Sequence, residues 1–176
     1  MQRNYTLSNQ NDSEIMLSRR QARRLALQIL FCNEFLHEDI HSVADRVAKT
    51  LEQDINGFCR RLIETTTEHT REFDELILKN LKGWDIERIA ILDRVLIRLA
   101  LCELVYFKDI PVEVTLDEAL ELSKEFISRK SSRFVNGILD TILKQLQKQN
   151  AIEKVLVARI PSSAKHSRQT AKDLES

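Results

Sequence analysis

Turn-forming residues are scarce in this chain of 176 residues, which has only 3 Gly and 2 Pro. That scarcity excludes a turn-rich β architecture. Three isolated glycines, Gly57, Gly83 and Gly137, cannot build a phosphate-cradling loop, so no nucleotide cofactor is expected. Cysteine is little used. Cys32, Cys59 and Cys102 are odd in number and widely spaced. Each sits in an apolar stretch with helical spacing, which predicts buried thiols in a reducing cytosol rather than a disulfide framework. Nowhere do 18 apolar residues run without a charge, so no membrane-spanning helix is expected. No basic, apolar and small-residue triplet opens the chain, so no signal peptide is expected either. The expected location is cytoplasmic. Nucleophile-elbow and paired C-x-x-C motifs are absent as well, which removes two common enzyme templates.

The chain also lacks net charge, but its charges are unevenly placed. Residues 1–36 carry five Lys/Arg against three Asp/Glu, residues 37–126 twelve against twenty, and residues 127–176 ten against four. Basic ends around an acidic middle point to an anionic partner and a basic one.

What the sequence does have is helical periodicity. Residues 1–17 are polar and aperiodic and read as a disordered arm. Ser18 and Gln21 form a capping box. It opens a helix to about Leu36 with Ala22, Leu25, Ala26, Ile29, Cys32 and Phe35 inward. A second helix is predicted from Ser42, stopping at Asn56-Gly57. A third runs through Phe58, Leu62, His69, Phe73 and Ile77 as one piece. Asp85 is a candidate N-cap for a helix from Ile86 to Leu104, which is apolar on most sides, with a break near Leu92. A helix of that kind must be surrounded by others. Thr115 to Glu118 reads as a second capping box opening a helix through Phe126. Ser131 or Ser132 caps the last helix, with Val135, Ile138, Leu139, Ile142 and Leu146 inward. Residues 147–176 read as a flexible basic tail. The fold class is therefore all-α, with about seven helices between 18 and 146.

His37-Glu38-Asp39-Ile40-His41 matches the zinc-protease motif H-E-x-x-H. That motif works only inside one helix, where both imidazoles share a face. Here it falls between two predicted helices and has no third ligand at a suitable spacing. No metal site is expected.

Two constellations remain. At about 100° per residue, Arg20, Arg24 and Phe31 project within roughly 40° of one another, with Arg23 beside Arg20. Arginines suit phosphates and an exposed ring suits a base. The second constellation is Arg129, Lys130, Arg133 and Phe134 at the start of the last helix, where backbone N–H groups and cations together favour an anion. Gly137, in mid-helix, predicts close approach of a helix or ligand.

These residues carry a resemblance. RRQARRLALQILF (19–31), LIRLALCEL (96–104), DIP (109–111), DEALELSK (117–124) and RFVNGILD (133–140) resemble, in order and spacing, the signatures of the bacterial NusB antitermination factors. The resemblance spans about residues 18–146. It implies two small helical bundles packed together, expected at about 18–82 and 83–146. It also implies binding of the boxA element of ribosomal RNA transcripts with the ribosomal protein NusE, within an RNA polymerase antitermination complex. By position it implies RNA contacts at Arg19, Arg20, Arg23, Phe31, Arg133 and Phe134, and a protein-facing Asp93. Lys130 joins the RNA set because it replaces a common acidic residue, as does Arg24. Phe31 stands where a Tyr is common. The helical pattern also resembles the N-terminal region of ribosomal RNA cytosine methyltransferases. That reading needs a Gly-rich cofactor loop and a nucleophilic Cys in a further domain, and neither lies within these residues. A third reading is a helical protein-interaction domain without RNA affinity.

Overall fold

In the computed structural model the residues described are 18–152, apart from Lys82, Trp84 and Asn150. The expected arm, 1–17, and the tail beyond Ile152 lie outside them. Seven α-helices follow one another: α1 (Arg19–Leu36), α2 (Ile40–Thr50), α3 (Gly57–Glu68), α4 (Thr70–Asn80), α5 (Ile91–Tyr106), α6 (Val112–Phe126) and α7 (Arg129–Lys148), with a 3-10 turn at Ile86–Arg88 before α5. No strand occurs among the described residues. The all-α expectation holds.

Helix α5 is the axis of the structure. Every residue from Val95 to Leu104 is buried, because α1, α3, α4, α6 and α7 all pack on it. A helix that lacks a polar face has no other stable place. Helices α1, α2 and α3 pack together on one side, while α6 and α7 close the other. Leu25, Ile29, Leu62, Ile63, Leu96, Ile97, Leu101 and Leu104 form a single continuous core between them.

Several helix ends differ from their predicted positions. Ser18 and Gln21 do form the reciprocal capping box of α1. Asp39, rather than Ser42, caps α2, its carboxylate accepting from the Ser42 N–H at 3.0 Å. Asn56 starts α3 rather than stopping α2, accepting from the Cys59 N–H at 2.8 Å. Asp85 caps only the 3-10 turn, so the break in the apolar run comes at Ile89 and Ala90. Pro111 precedes α6, and Thr115 lies inside that helix. The look-alike capping box there fails because Pro111 fixes an earlier start. Ser128 caps α7, ahead of both predicted serines.

The third predicted helix is two. α3 and α4 meet at His69, which ends one and precedes the other. α4 then packs on α5 and α7. The chain also stays on the body past 146. Helix α7 continues to Lys148, the Ala151 N–H donates to the Leu146 carbonyl at 3.0 Å, and Ile152 packs against the core.

Candidate nucleic-acid interface

The arginine-rich first turns of α1 do not stand free. Arg19 Nη2 lies 3.2 Å from Asp109 Oδ2. Arg20 Nη2 lies 2.8 Å from Glu118 Oε1, and Arg24 Nη2 lies 2.7 Å from Glu125 Oε1. Glu118 and Glu125 are seven residues apart on α6, so they share a face and meet the α1 arginines in register. The hydrogen bond and charge of Glu118 hold the Arg20 guanidinium protonated still more firmly than usual. Arg19 and Arg20 remain well exposed, and their pairs are open to water.

Arg23 is a different matter. It is buried, at 5 % exposure. Its guanidinium donates to Glu103 Oε2 at 2.7 Å and Oε1 at 3.0 Å, and Thr115 Oγ1 donates to the same carboxylate at 2.7 Å. Its guanidinium also sits 5.2 Å from the centre of the Phe58 ring. The expectation that Arg23 faces RNA is corrected: it is an interior cross-link between α1, α5 and α6. Spacing alone put it on the arginine face, and the buried carboxylate 80 residues away pulls it inward.

Asp93 is likewise buried, at 5 % exposure, so its expected place facing a protein partner is corrected too. Burial pushes its carboxyl above the ordinary value of 3.8, and a hydrogen bond with Ser131 opposes that shift. Ser132 and Ser123, their hydroxyls 2.6 Å apart and buried, make a second tie. The Ser123–Ser132 pair fixes the first turn of α7 onto α6. A folded-state pKa raised above the unfolded one gives stability that is present at low pH and lost as pH rises through the folded value. Asp93→Asn keeps an acceptor for Ser131 without a charge. Its stability relative to the native protein is therefore expected to improve as pH rises from about 3.8 toward neutrality. Urea unfolding at pH 4 and pH 7 checks this; a gap that narrows with pH contradicts it.

That fixed turn presents the other constellation outward. Arg129, Lys130 and Arg133 are exposed. None makes an ion pair with any described residue, and the first turn of α7 contains no acid. Phe134 is half-buried against the core beside them. Gly137 follows Lys130 by two turns on the same stripe. A Cβ there would meet nothing within 4 Å, so the expected close approach of another helix is corrected: this stretch of α7 is open. Three exposed cations with no ion pair among the described residues stand at the positive end of a helix dipole, a setting that favours an anion.

Helix α1 meets the end of α6 that leads into α7. The Arg24 guanidinium lies 5.6 Å from the Phe126 ring centre, and Arg129 follows Phe126 by three residues. Farther along α1, Glu34 takes Arg94 Nη2 at 2.8 Å and Arg98 Nη1 at 2.6 Å. Phe31 lies between these two crossings, half-buried. It pairs edge-to-face with Phe35, ring centres 5.2 Å apart. Phe35, predicted inward, is 58 % exposed. Its spacing from Cys32 fits the apolar stripe, but α1 there has outrun the core that Ile29 and Leu30 fill.

The histidine motif spans a turn rather than a helix. His37 takes the left-handed conformation (φ 52°) that ends α1, and Asp39 and His41 fall at the start of α2. Glu38 is engaged with Arg46 at 2.8 Å. The two imidazoles do not lie on one helical face.

Comparison with known proteins puts these features in context. The profile of the NusB family matches residues 20–144. The transcription antitermination protein NusB of Geobacillus kaustophilus is 42% identical over 136 residues, covering 75% of this chain and 100% of that one. The solved structure of T. maritima NusB is 37% identical with a TM-score of 0.66, over 73% of this chain and 92% of that one. A solved complex of the antitermination factors NusB and NusE with double-stranded RNA contains a chain 25% identical, with a TM-score of 0.67 over 72% of this chain and 96% of that one.

Proposed function

The chain belongs to the NusB family, and from that premise we propose that it is a transcription antitermination adaptor. In this reading it binds the boxA element of ribosomal RNA transcripts together with NusE, and the pair joins RNA polymerase. It acts by binding rather than by catalysis, and in the cytoplasm. No helix among the described residues is long and apolar enough to cross a membrane, which agrees with that location.

One observation carries the RNA reading: Arg129, Lys130 and Arg133 at the start of α7 are exposed and make no ion pair among the described residues. A phosphate placed there meets no competing carboxylate in the first turn. The exposed guanidinium groups of Arg19 and Arg20 extend the surface along α1, although a phosphate must share them with Asp109 and Glu118. Phe31 and Phe134 flank the cations and supply base contacts. Aromatic rings of this kind favour unpaired nucleotides, whose faces are free to stack. The relative found in complex with NusE and double-stranded RNA supports both the partner and the class of ligand. Asp93 is buried behind the surface, and NusE docks on other groups.

A boxA oligonucleotide in a filter-binding assay, with and without NusE, tests the proposal. Binding alone should be modest, because the contacts are few, and NusE should tighten it by adding a joint surface. Equal binding of boxA and an unrelated oligonucleotide, unchanged by NusE, would discard the adaptor reading.

A further inference from the structure

Helix α1 exposes an aromatic ring that neither the core nor the ion-pair network uses. Phe35 is 58 % exposed, although burying such a ring would stabilise the fold by about 1.5–3 kcal/mol. It is nevertheless held in place. The Phe31 ring meets it at 5.2 Å with the planes 75° apart, so one ring braces the other and leaves a face of Phe35 in solvent. At 100° per residue, Arg24, Phe31 and Phe35 lie on one stripe of α1, within roughly 40° of one another.

The charges around this stripe are divided. Arg20 and Arg24, toward the N-terminus, are matched by Glu118 and Glu125. Near the aromatic pair, Glu34 and Asp74 are matched by Arg94 and Arg98, which leaves that surface close to neutral. Cations without an ion pair among the described residues stand instead on α7, which begins three residues after Phe126, the ring that Arg24 of the same α1 stripe meets at 5.6 Å. A neutral aromatic step beside an unpaired cationic one is the arrangement that takes a base on one side and its phosphates on the other.

We propose that Phe35 is a base-stacking residue, forming with Phe31 a two-ring platform for a single-stranded RNA whose adjoining phosphates rest on Arg129, Lys130 and Arg133. This rests on the RNA-binding reading and deepens it. It extends the track to the far end of α1, beyond the residues the sequence pattern singles out. Leu36 is also exposed, which makes a protein-docking role for the same corner the competing outcome.

The test uses the full chain and a fluorescently labelled single-stranded boxA oligonucleotide across a salt series. Phe35→Leu keeps apolar bulk and loses the planar face. It should weaken binding about tenfold, within the range for one stacked base, without changing the salt slope. Phe35→Trp should bind at least as tightly as the native protein. Because the side chain is exposed, circular dichroism of both variants should be native. A Lys130→Ala and Arg133→Ala double variant runs alongside and should lose affinity with a flatter slope. Native affinity in Phe35→Leu, with loss in that double variant, overturns the Phe35 proposal and leaves the RNA reading standing. Phe35→Leu that binds RNA normally but binds NusE poorly overturns it in favour of protein docking. No binding by the native protein overturns both.

Discussion

Replacing Arg23 by Ala is expected to destabilise the protein by about 3–5 kcal/mol, the usual cost of removing one partner from a buried ion pair. The reason is what remains. Glu103 is 2 % exposed, and without Arg23 only the Thr115 hydroxyl, at 2.7 Å, still serves its carboxylate among the described residues. A buried anion with one neutral donor is far from compensated. Urea unfolding should show a large fall in midpoint with little change in slope. Arg20→Ala, three residues away with a solvated pair, should leave the midpoint nearly unchanged. Replacing both members by apolar residues, Arg23→Met with Glu103→Leu, should recover most of the loss, because no charge is then stranded. If Arg23→Ala unfolds like the native protein, the interior cross-link is not what holds α1 to α5. The same result carries a warning for binding studies: a variant combining Arg23 with other arginines would lose RNA by losing its fold.

The largest expected effect on binding comes from the start of α7. Replacing Arg129, Lys130 and Arg133 together by Ala should flatten the dependence of log affinity on log salt by about 2, at roughly 0.7 for each single-strand phosphate contact released. Replacing Arg20 and Arg24 should flatten it less. Glu118 and Glu125 already occupy those guanidinium groups at 2.8 and 2.7 Å, so fewer counterions wait there to be displaced by RNA. Affinity measured at several salt concentrations separates the two surfaces. An equal or larger change from the α1 pair would mean that RNA strips those arginines from α6, and that α1 dominates the contact. Thermal unfolding of the triple variant should be near native, since all three side chains are exposed.

The fold was largely legible because its signals are local. Ser18 and Gln21 act within four residues, and the apolar excess of 91–104 can only mean a central helix. Signals that compete locally were misread. Thr115 heads a plausible capping box, yet Pro111 starts the helix earlier and Thr115 spends its hydroxyl on Glu103. The run from Phe58 to Ile77 keeps one period through His69, and only packing of α4 on α7 breaks it. For the site, the exposure of the α7 cations was legible in the sequence, since the first turn of that helix carries no acid. The sequence could not tell the four arginines of α1 apart. Their fates depend on Asp109, Glu118, Glu103 and Glu125, which lie about 80 to 100 residues later. Helical phase gives the direction of a side chain, and the partner that meets it is decided by tertiary structure. Asp93 and Phe35 exchanged expected places for the same reason, the acid going inside and the ring outside.

The junction at His69 has a mechanical meaning. Helical groups joined by a flexible linker are free to swing, and relative motion is the default expectation for them. Here no linker exists, because one residue ends α3 and precedes α4. Its imidazole stacks on Tyr106 of α5 with ring centres 4.2 Å apart, Nδ1 lies 2.8 Å from the Tyr106 hydroxyl, and that hydroxyl donates to Glu72 at 2.7 Å. Turning α4 against α3 would have to break the His69–Tyr106 stack and its hydrogen bonds, so a twist at this seam is resisted by a side chain of α5.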